Sequence, residues 1–373
     1  IASAFDMSIN QLNWFMPVQV RFAPGLLANH QPQQHSLVLF DANLAGQRWL
    51  EQLQSAWRDR LVHWQPQTSA ECEISALLQL CDQVWPKLKS YPQTELVAIG
   101  GGTTMDLAKL LRFCPTEPLT TAEVIEWWRG QGQMNARASH RHRLSCWPTT
   151  AGTGSEVSAS ATLWDRISQA RKLSWQPPAG HADEAGVDPI LTLSCPAKVT
   201  RDCGLDALSH ALESLWNRRC SLVTQPLAQR AVGLILKHLP LALSDLQNIT
   251  HRSAMCEASL LAGMAMSETQ TALAHALSYD LTLQEGYSHG EAVATWLPYV
   301  AKVATKDNAA LSEVLKQALG TSQDPAVFLH RWLTLLGIAP RDLDQLPQGL
   351  ETLHQALASA RGKNQIHGLN HAS

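Results

Sequence analysis

The stretch TELVAIGGGTT, residues 94–104, decides the fold class of this chain. Its apolar run LVAI is typical of a buried strand, and three consecutive glycines then end the strand in a turn. The following DLAKLLRF, residues 106–113, is a good opening for a helix. A second strand candidate, HSLVLFDAN over 35–43, also leads into a helical stretch. Repeated strand, turn and helix predict a parallel sheet with helices on both faces.

The strand pattern continues to about residue 186 and fades beyond it. The stretch VDPILTLSCP, residues 187–196, carries two prolines and is interpreted as a linker. Ala- and Leu-rich helical periods dominate the remainder of the chain. We therefore predict two domains, an α/β domain with a parallel sheet over 1–186 and an all-helical domain over 187–373.

The composition is that of an ordinary soluble protein, with 45% hydrophobic and 16% charged residues in a chain of 373. The formal net charge of −3 argues against a nucleic-acid or anionic-membrane partner. The densest basic cluster, RASHRHR at 137–143, is interpreted as a solvated loop. No apolar run approaches the roughly 18 residues of a membrane span. Eight cysteines without CxxC spacing, and an N-terminal stretch unlike a signal peptide, predict a cytoplasmic protein.

The triple glycine favours a phosphate-binding turn. Consecutive glycines let the backbone approach an anion, and the helix after them presents free N–H groups and the positive end of its dipole. Thr103 can add a hydroxyl donor. The alternative for Gly100, Gly101 and Gly102 is a tight turn without a ligand, since the GxGxxG pattern is absent.

A second polar loop lies in CWPTTAGTGSEVS, residues 146–158. Its hydroxyl and N–H groups surround a permissive backbone, which suits a pyrophosphate or a ribose. The alternative is a polar surface connection without a ligand. The candidate binding residues of this loop are Thr149, Thr150, Gly152, Thr153 and Ser155.

The segment GLDALSHALESLW, residues 204–216, places Asp206 and His210 four residues apart. On a helix both fall on one face, opposite a leucine-rich side. The alternative is an ordinary amphipathic helix with a solvated polar face. His275 lies in a predicted helix that is rich in small residues and should be buried on nearly all sides. His289 lies between a loop and the start of a new helix. Three imidazoles and one carboxylate form a suitable ligand set for Fe²⁺ or Zn²⁺.

Five motifs resemble those of the iron-containing (group III) alcohol dehydrogenases, in the same order: GGGTTMDLAK, PTTAGTGSEVS, GLDALSHALES, HALSYDL and SHGEAVATWLP. The similarity covers about residues 14 to 300. In that family the metal is bound by an Asp and a His four apart on one helix and by two His 14 apart, spacings that recur here. The resemblance implies that Fe²⁺, or alternatively Zn²⁺, is bound by Asp206, His210, His275 and His289.

The same resemblance implies that the N-terminal domain binds NAD, or alternatively NADP, and that the helical domain binds the metal. It assigns Gly100 to Thr103 to the cofactor pyrophosphate. It assigns Thr149, Thr150 and Ser155 to the nicotinamide and phosphates, within the loop that also holds Gly152 and Thr153.

Three further residues are implied as cofactor contacts. Asp106 would support the glycine turn, and Lys172 matches a family lysine near the ribose. Asp41 ends the strand LVLFD, where the family often has an acidic contact to the adenosine ribose. A carboxylate there would accept from a 2′-hydroxyl and repel a 2′-phosphate, which favours NAD over NADP. The alternative for Asp41 is a routine turn residue before Ala-Asn.

One position departs from the family pattern. Many members carry a further histidine four residues after the first of the later pair, in a proton-transfer role, and this chain has Tyr279 there. A phenol can donate a hydrogen bond, but its high pKa makes it a poorer proton shuttle near pH 7. We expect Tyr279 to assist catalysis, with proton transfer passing through ribose hydroxyls and water.

The stretches SYDLT and WDRISQARKLSW are most similar to the branch that reduces phosphonoacetaldehyde to 2-hydroxyethylphosphonate. A phosphonate needs cationic or N–H donors, for which Arg218 and Arg219 are candidates and solvated helix-end charges are the alternative. The predicted function is therefore a metal-dependent, NAD(P)-linked aldehyde reductase or alcohol dehydrogenase with a small-molecule substrate.

Three alternatives to that function stay open at the level of sequence. The first is a dehydrogenase of short alcohols or diols, of the lactaldehyde or butanol type. The second is a non-catalytic metal-binding relative, and the third is a lyase related to dehydroquinate synthase. Small-residue helices and 13 tryptophans permit a homodimer.

Overall fold

The structure, a computed structural model, describes residues 14–129, 139–167, 171–176, 178–346 and 348–366. The chain divides into two compact units. The sheet unit contains residues 17–150 and 155–194. The helical unit contains residues 14–16, the loop Ala151–Gly154 and the chain from Cys195 onward. The units change over between Ser194 and Cys195, eight residues after the predicted boundary (194 − 186 = 8).

The described strands of the sheet unit are β1 Gln19–Phe22, β2 Ser36–Asp41, β3 Leu61–Gln67, β4 Glu95–Gly100, β5 Phe113–Pro115, β6 Ser139–Arg141, β7 Arg143–Pro148, β8 Ala161–Asp165, β9 Arg171–Trp175 and β10 Glu184–Val187. Six of them form a parallel sheet in the order β1-β10-β7-β4-β2-β3. The non-sequential order requires crossover connections, as expected for strands alternating with helices. The other four form two antiparallel pairs, β5 with β6 and β8 with β9.

Helices cover both faces of the central sheet, and side chains on its inner strands alternate between two cores. On β4, Leu96 and Ala98 belong to one core and Val97 and Ile99 to the other. The first core includes buried residues of α2 (Ile74–Ser90) and α3 (Gly102–Leu111), and the second includes those of α1 (Arg48–Trp57). The predicted α/β class with a parallel sheet is confirmed. The helices of this unit are α1 Arg48–Trp57, α2 Ile74–Ser90, α3 Gly102–Leu111 and α4 Thr121–Arg129.

Two local predictions were wrong in this unit. The stretch 187–196 is folded, because Asp188 accepts hydrogen bonds from the backbone N–H groups of Gly25, Leu27 and Ile190 and caps a 3-10 helix over Pro189–Thr192. The basic cluster is not a loop from Ser139 on, since those residues form β6 and the start of β7. Its earlier residues, 137 and 138, lie outside the described part of the chain.

The helical unit has a single core in which small and large apolar side chains from successive helices interlock. Regular elements described from Cys195 onward are all helical, as predicted. No helix among the described residues is long and apolar enough to cross a membrane. The helices are α5 Ala197–Leu215, α6 Thr224–Ser244, α7 Ile249–Thr269, α8 Leu273–Gln284, α9 His289–Ala294, α10 Leu297–Thr305, α11 Ala309–Leu319, α12 Pro325–Leu335 and α13 Gly349–Ala358.

Candidate metal centre and phosphate-binding turn

Helix α5 carries the first two candidate metal ligands inside the helical unit. Asp206, His210 and Glu213 lie on one side of α5, and all three are buried. This excludes the alternative of a solvated polar face. Because buried polar groups need partners, the side chains of α5 must be satisfied by neighbouring residues or by a bound ligand.

The four candidate ligands converge on one carboxylate oxygen. The Nε2 atoms of His210, His275 and His289 lie 3.6, 3.7 and 3.8 Å from Oδ1 of Asp206. These distances are too long for hydrogen bonds. Asp206 Oδ1 and His275 Nε2 are both buried, and neither atom has a hydrogen-bond partner among the described residues. Three ligand atoms, one each from Asp206, His210 and His275, lie within 4.8 Å of one another.

This donor set fits a divalent transition-metal ion. Ligands bonded to one tetrahedral ion at about 2.0–2.1 Å lie roughly 3.3 Å apart, close to the 3.6–3.8 Å between Asp206 Oδ1 and the three Nε2 atoms. Burial alone would raise the pKa of Asp206, but His210, His275 and His289 hold it well below its usual range. The carboxylate is thus kept in its ligating, ionised form. His289 is the accessible ligand, with 39% of its side chain exposed, so its side of the centre is open.

Glu213 orients His275, a role that the sequence analysis did not assign to it. The Glu213 carboxylate accepts the Nδ1–H of His275 at 2.7 Å, the backbone N–H of His275 at 3.1 Å and that of Ala272 at 2.7 Å. This interaction fixes the tautomer that leaves the Nε2 lone pair facing Asp206. Burial opposes ionisation of Glu213, but His275 and the two N–H groups lower its pKa. The signal was present, since Glu213 shares the polar face of α5, but its partner lies 62 residues away.

The position of His289 depends on the glycine that follows it. Helix α9 begins at His289 and runs against the backbone of α5, where a Cβ on Gly290 would overlap the carbonyl oxygen of Asp202. An ion pair of 3.1 Å between Arg201 and Glu291 holds the same contact. A side chain at position 290 would therefore separate the two helices that supply ligands.

We expect Gly290→Ala to weaken divalent-metal binding about 10- to 100-fold, a loss of the size seen when supporting contacts of metal ligands are removed. The overlap with Asp202 should also destabilise the fold by about 1–3 kcal/mol. Metal affinity by competition with a chromogenic chelator, together with the thermal midpoint, checks both effects. Gly233→Ala is the matched control, since a Cβ there meets nothing within 4 Å. Equal metal affinities of the two variants would contradict this account of Gly290.

The glycine turn lies at the carboxyl edge of the sheet, inside the sheet unit. Gly100 ends β4, and Gly101 precedes α3 without any side-chain cap on the first N–H groups of that helix. The N–H of Thr149, just after β7, donates to the Gly100 carbonyl at 3.0 Å. Asp41 ends the neighbouring β2. The free N–H groups at the start of this helix, next to glycines without side chains, can bind a phosphate. The carboxyl edge of parallel strands is also where such ligands bind.

A buried charged network supports this turn. The Nζ of Lys109 donates to Ser155 Oγ and to the Ser160 carbonyl, both at 2.7 Å, and lies 3.8 Å from Asp106 Oδ1. Asp106 accepts from Ser155 Oγ at 2.6 Å and from the N–H of Thr162 at 2.8 Å. Ser155, assigned above to the cofactor, therefore has its hydroxyl engaged within the protein. Lys109 was missed because a lysine in the apolar run DLAKLL is indistinguishable from an exposed helix residue.

Several predicted cofactor residues have partners within the protein. Thr103 Oγ1 donates to the Ala70 carbonyl at 3.2 Å. Asp41 Oδ1 accepts from the N–H of Asn43 at 2.9 Å, the turn role that was its alternative. The Nζ of Lys172 lies 5.5 Å from the centre of the Trp164 ring on β8.

The polar loop 146–158 is not a surface connection, since Thr149 and residues 154–158 are buried. Its members Gly152 and Thr153 belong to the helical unit, whereas Thr150 belongs to the sheet unit. A Cβ on Gly152 would lie 2.7 Å from Cβ of Cys203 on α5, so within the helical unit the segment Ala151–Gly154 runs directly against the helix that bears the metal ligands.

Two family models match the chain in tandem. The model described as iron-containing alcohol dehydrogenase matches residues 15–189, and the C-terminal model of the same family matches residues 200–337. The 1-propanol dehydrogenase PduQ of Salmonella typhimurium is 33% identical over 207 residues, 56% of this chain and 50% of that protein. The chain thus spans about half the length of this and other curated relatives that it matches.

Two further relatives match over most of the chain. The phosphonoacetaldehyde reductase of Streptomyces viridochromogenes is 29% identical over 333 residues, covering 84% of this chain and 80% of that protein. The crystal structure of a sulfoacetaldehyde reductase from Bifidobacterium kashiwanohense in complex with NAD+ superposes with a TM-score of 0.81 at 25% identity. That match covers 95% of this chain and 94% of the other. The chain belongs to the iron-containing alcohol dehydrogenase family.

Proposed function

We propose that this chain is a metal-dependent, NAD-linked reductase of short aldehydes, equivalently a dehydrogenase of the corresponding alcohols. One observation carries the proposal: the buried, unpartnered Oδ1 of Asp206 faces three imidazole Nε2 atoms at 3.6–3.8 Å. A carboxylate and imidazoles in this arrangement suit Fe²⁺, with Zn²⁺ as the alternative.

In such a reductase the divalent cation supplies Lewis acidity toward the carbonyl oxygen, and the nicotinamide supplies hydride. Asp206 contributes the negative charge of the ligand set, and Glu213 holds His275 in the tautomer that can ligate. Tyr279 follows His275 by one turn on α8 and can donate a hydrogen bond from its phenol. The uncapped start of α3 holds the cofactor pyrophosphate, and the Lys109 network keeps the surrounding loop in place.

For the substrate we propose phosphonoacetaldehyde, reduced to 2-hydroxyethylphosphonate. Support comes from the long match to a relative named for that substrate. The alternative is a short uncharged substrate, supported by the relative named for 1-propanol. Arg218 and Arg219 do not support anion binding, since both are exposed and Arg218 Nε donates to the Gln365 carbonyl at 3.1 Å.

The preferred cofactor is NAD rather than NADP. The carboxylate of Asp41 at the end of β2 would repel a 2′-phosphate. A structural relative was solved with NAD+. The compartment that we propose is the cytoplasm, since all eight cysteines are free thiols. A homodimer stays a prediction from the sequence.

The test is oxidation of NADH or NADPH by the Fe²⁺- or Zn²⁺-loaded chain with phosphonoacetaldehyde, sulfoacetaldehyde, propanal and lactaldehyde. We expect NADH oxidation that a chelator abolishes and added metal restores. NADH oxidation with uncharged aldehydes alone would support the dehydrogenase function and contradict the proposal that phosphonoacetaldehyde is the substrate. Absence of turnover with every aldehyde, despite bound metal and cofactor, would identify a non-catalytic relative. Phosphate elimination in place of cofactor oxidation would favour a lyase.

A further inference from the structure

We infer that Arg361 recognises the anionic group of the aldehyde substrate and thereby selects phosphonate, sulfonate or carboxylate aldehydes over neutral ones. This inference rests on the proposed reductase function and specifies its substrate class. It concerns a residue beyond the motifs that carry the family resemblance.

Arg361 lies beside the candidate metal centre. Its guanidinium carbon is 5.2 Å from the centre of the Tyr279 ring, and Tyr279 follows the ligand His275 by one turn of α8. Arg361 also experiences the charge of Glu213, the carboxylate that binds His275. The guanidinium therefore lies against Tyr279, one helical turn from the ligand His275, and within electrostatic range of Glu213.

The segment that carries Arg361 is fixed to the elements that carry the ligands. The N–H of Arg218, just after α5, donates to the Asn364 carbonyl at 2.8 Å, and the N–H of Ile366 donates to the Trp216 carbonyl at 3.0 Å. The side-chain amide of Asn364 donates to the Thr271 carbonyl, just before α8, at 2.9 Å. Three hydrogen bonds thus clamp residues 361–366 between the end of α5 and the start of α8.

The chemistry of arginine suits an oxyanion better than an uncharged group. A guanidinium presents parallel N–H donors that match phosphonate, sulfonate or carboxylate oxygens, and stacking on a tyrosine ring holds its plane. A substrate oxyanion is a better acceptor for Arg361 than Glu213 is, because the oxygens of Glu213 already accept three hydrogen bonds. Partial burial strengthens the attraction of Arg361 for an anion.

The pattern of relatives is consistent with this role. Among the relatives that match over most of the chain, two are named for phosphonoacetaldehyde and sulfoacetaldehyde, two-carbon aldehydes with an anionic end, and others are named for 1-propanol and 1,3-propanediol. In such a molecule the carbonyl oxygen and the anion are separated by a short chain. With its aldehyde oxygen at the ligands around Asp206, such a substrate needs a cation nearby for its anionic end, and Arg361 is a cation that contacts the helix of His275 through Tyr279.

The experiment compares the metal-loaded wild type with Arg361→Met and with Lys363→Met, an exposed cation of the same segment. We measure kcat/KM for phosphonoacetaldehyde, sulfoacetaldehyde, 3-oxopropanoate and propanal. The ratio of each anionic aldehyde to propanal should fall about 10- to 100-fold in Arg361→Met, the loss expected for hydrogen bonds to a charged group. Lys363→Met should leave the ratio within about twofold. The arms with different anions show which oxyanion the site prefers.

A binding measurement separates this inference from the reductase function. Calorimetric titration of 2-hydroxyethylphosphonate should give a Kd raised about 10- to 100-fold in Arg361→Met and unchanged in Lys363→Met. If the wild type reduces no aldehyde, the reductase proposal fails and the titration alone decides about Arg361. If Arg361→Met does not fold, Arg361→Lys is the second variant, since it keeps the charge but loses the paired N–H donors of the guanidinium. It should show a smaller fall in the kcat/KM ratio and a smaller loss of affinity for 2-hydroxyethylphosphonate. Unchanged ratios and an unchanged Kd would overturn the inference.

Discussion

Replacing His275 by alanine is expected to remove the bound divalent cation and to lower kcat/KM for aldehydes about a thousandfold or more. The Lewis acid contributes several kcal/mol to stabilisation of the transition state, and each 1.36 kcal/mol corresponds to about a factor of ten in rate. His275 is buried and held in position, since its Nδ1–H donates to Glu213 at 2.7 Å and its Nε2 lies 3.7 Å from Asp206 Oδ1. Alanine removes this ligand and leaves one fewer imidazole in the set.

The measurement is metal content per chain by mass spectrometry, taken together with NADH oxidation. His238→Ala is the matched control, because His238 is a partly buried histidine of the helical unit whose Nδ1 lies 3.0 Å from that of His251. We expect the control to retain one metal per chain and near-normal activity. Full metal occupancy in His275→Ala would show that the Asp206 cluster is not the metal centre.

The four candidate metal ligands could be predicted from the sequence to different degrees. The interval from Asp206 to His210 is a helical spacing within one element, so sequence periodicity alone places both side chains on one face. His275 and His289 come from separate helices, and their approach to Asp206 depends on packing of α8 and α9 against α5. No local pattern contains that information, and the family resemblance supplied it.

The fold class was predictable for a related reason. Strands β2 and β4 of the central sheet are buried on both faces, so the runs LVLF and LVAI are continuous and apolar. The stretch 187–196 was misinterpreted because its two prolines are typical of connections. The Asp188 carboxylate accepts hydrogen bonds from the backbone N–H groups of Gly25 and Leu27, which makes the stretch part of the folded unit, and those contacts join residues more than 160 positions apart.

The supporting residues were the hardest to identify. Glu213 and Lys109 act through partners that are distant in sequence, so each looks like an ordinary helical residue until the fold is known. Arg361 lies in the C-terminal segment, where the resemblance is weak. Sequence motifs thus indicate the residues that carry the chemistry of a site, whereas the residues that position them can be identified only from the tertiary contacts.

Replacing Lys109 by methionine is expected to destabilise the sheet unit by about 3–5 kcal/mol and to weaken NADH binding. Lys109 is fully buried, and its Nζ is the cation 3.8 Å from Asp106 Oδ1. Removal of one partner from a buried ion pair leaves an uncompensated charge, which accounts for the size of the loss. Ser155 also loses a 2.7 Å contact, so the loop after Gly154 is held less firmly.

Thermal unfolding and calorimetric titration with NADH check this prediction. Lys316→Met is the control, since its 2.7 Å pair with Glu313 is on the surface of α11 and should contribute at most about 1 kcal/mol. The double variant Lys109→Met, Asp106→Asn should recover part of the stability, because it no longer contains an unpaired, largely buried carboxylate with 15% of its side chain exposed. Recovery of stability without recovery of NADH affinity would assign Lys109 to placement of the loop as well as to the fold. Equal stability losses in Lys109→Met and Lys316→Met would show instead that the Lys109–Asp106 pair contributes no more to the free energy of unfolding than a surface pair does.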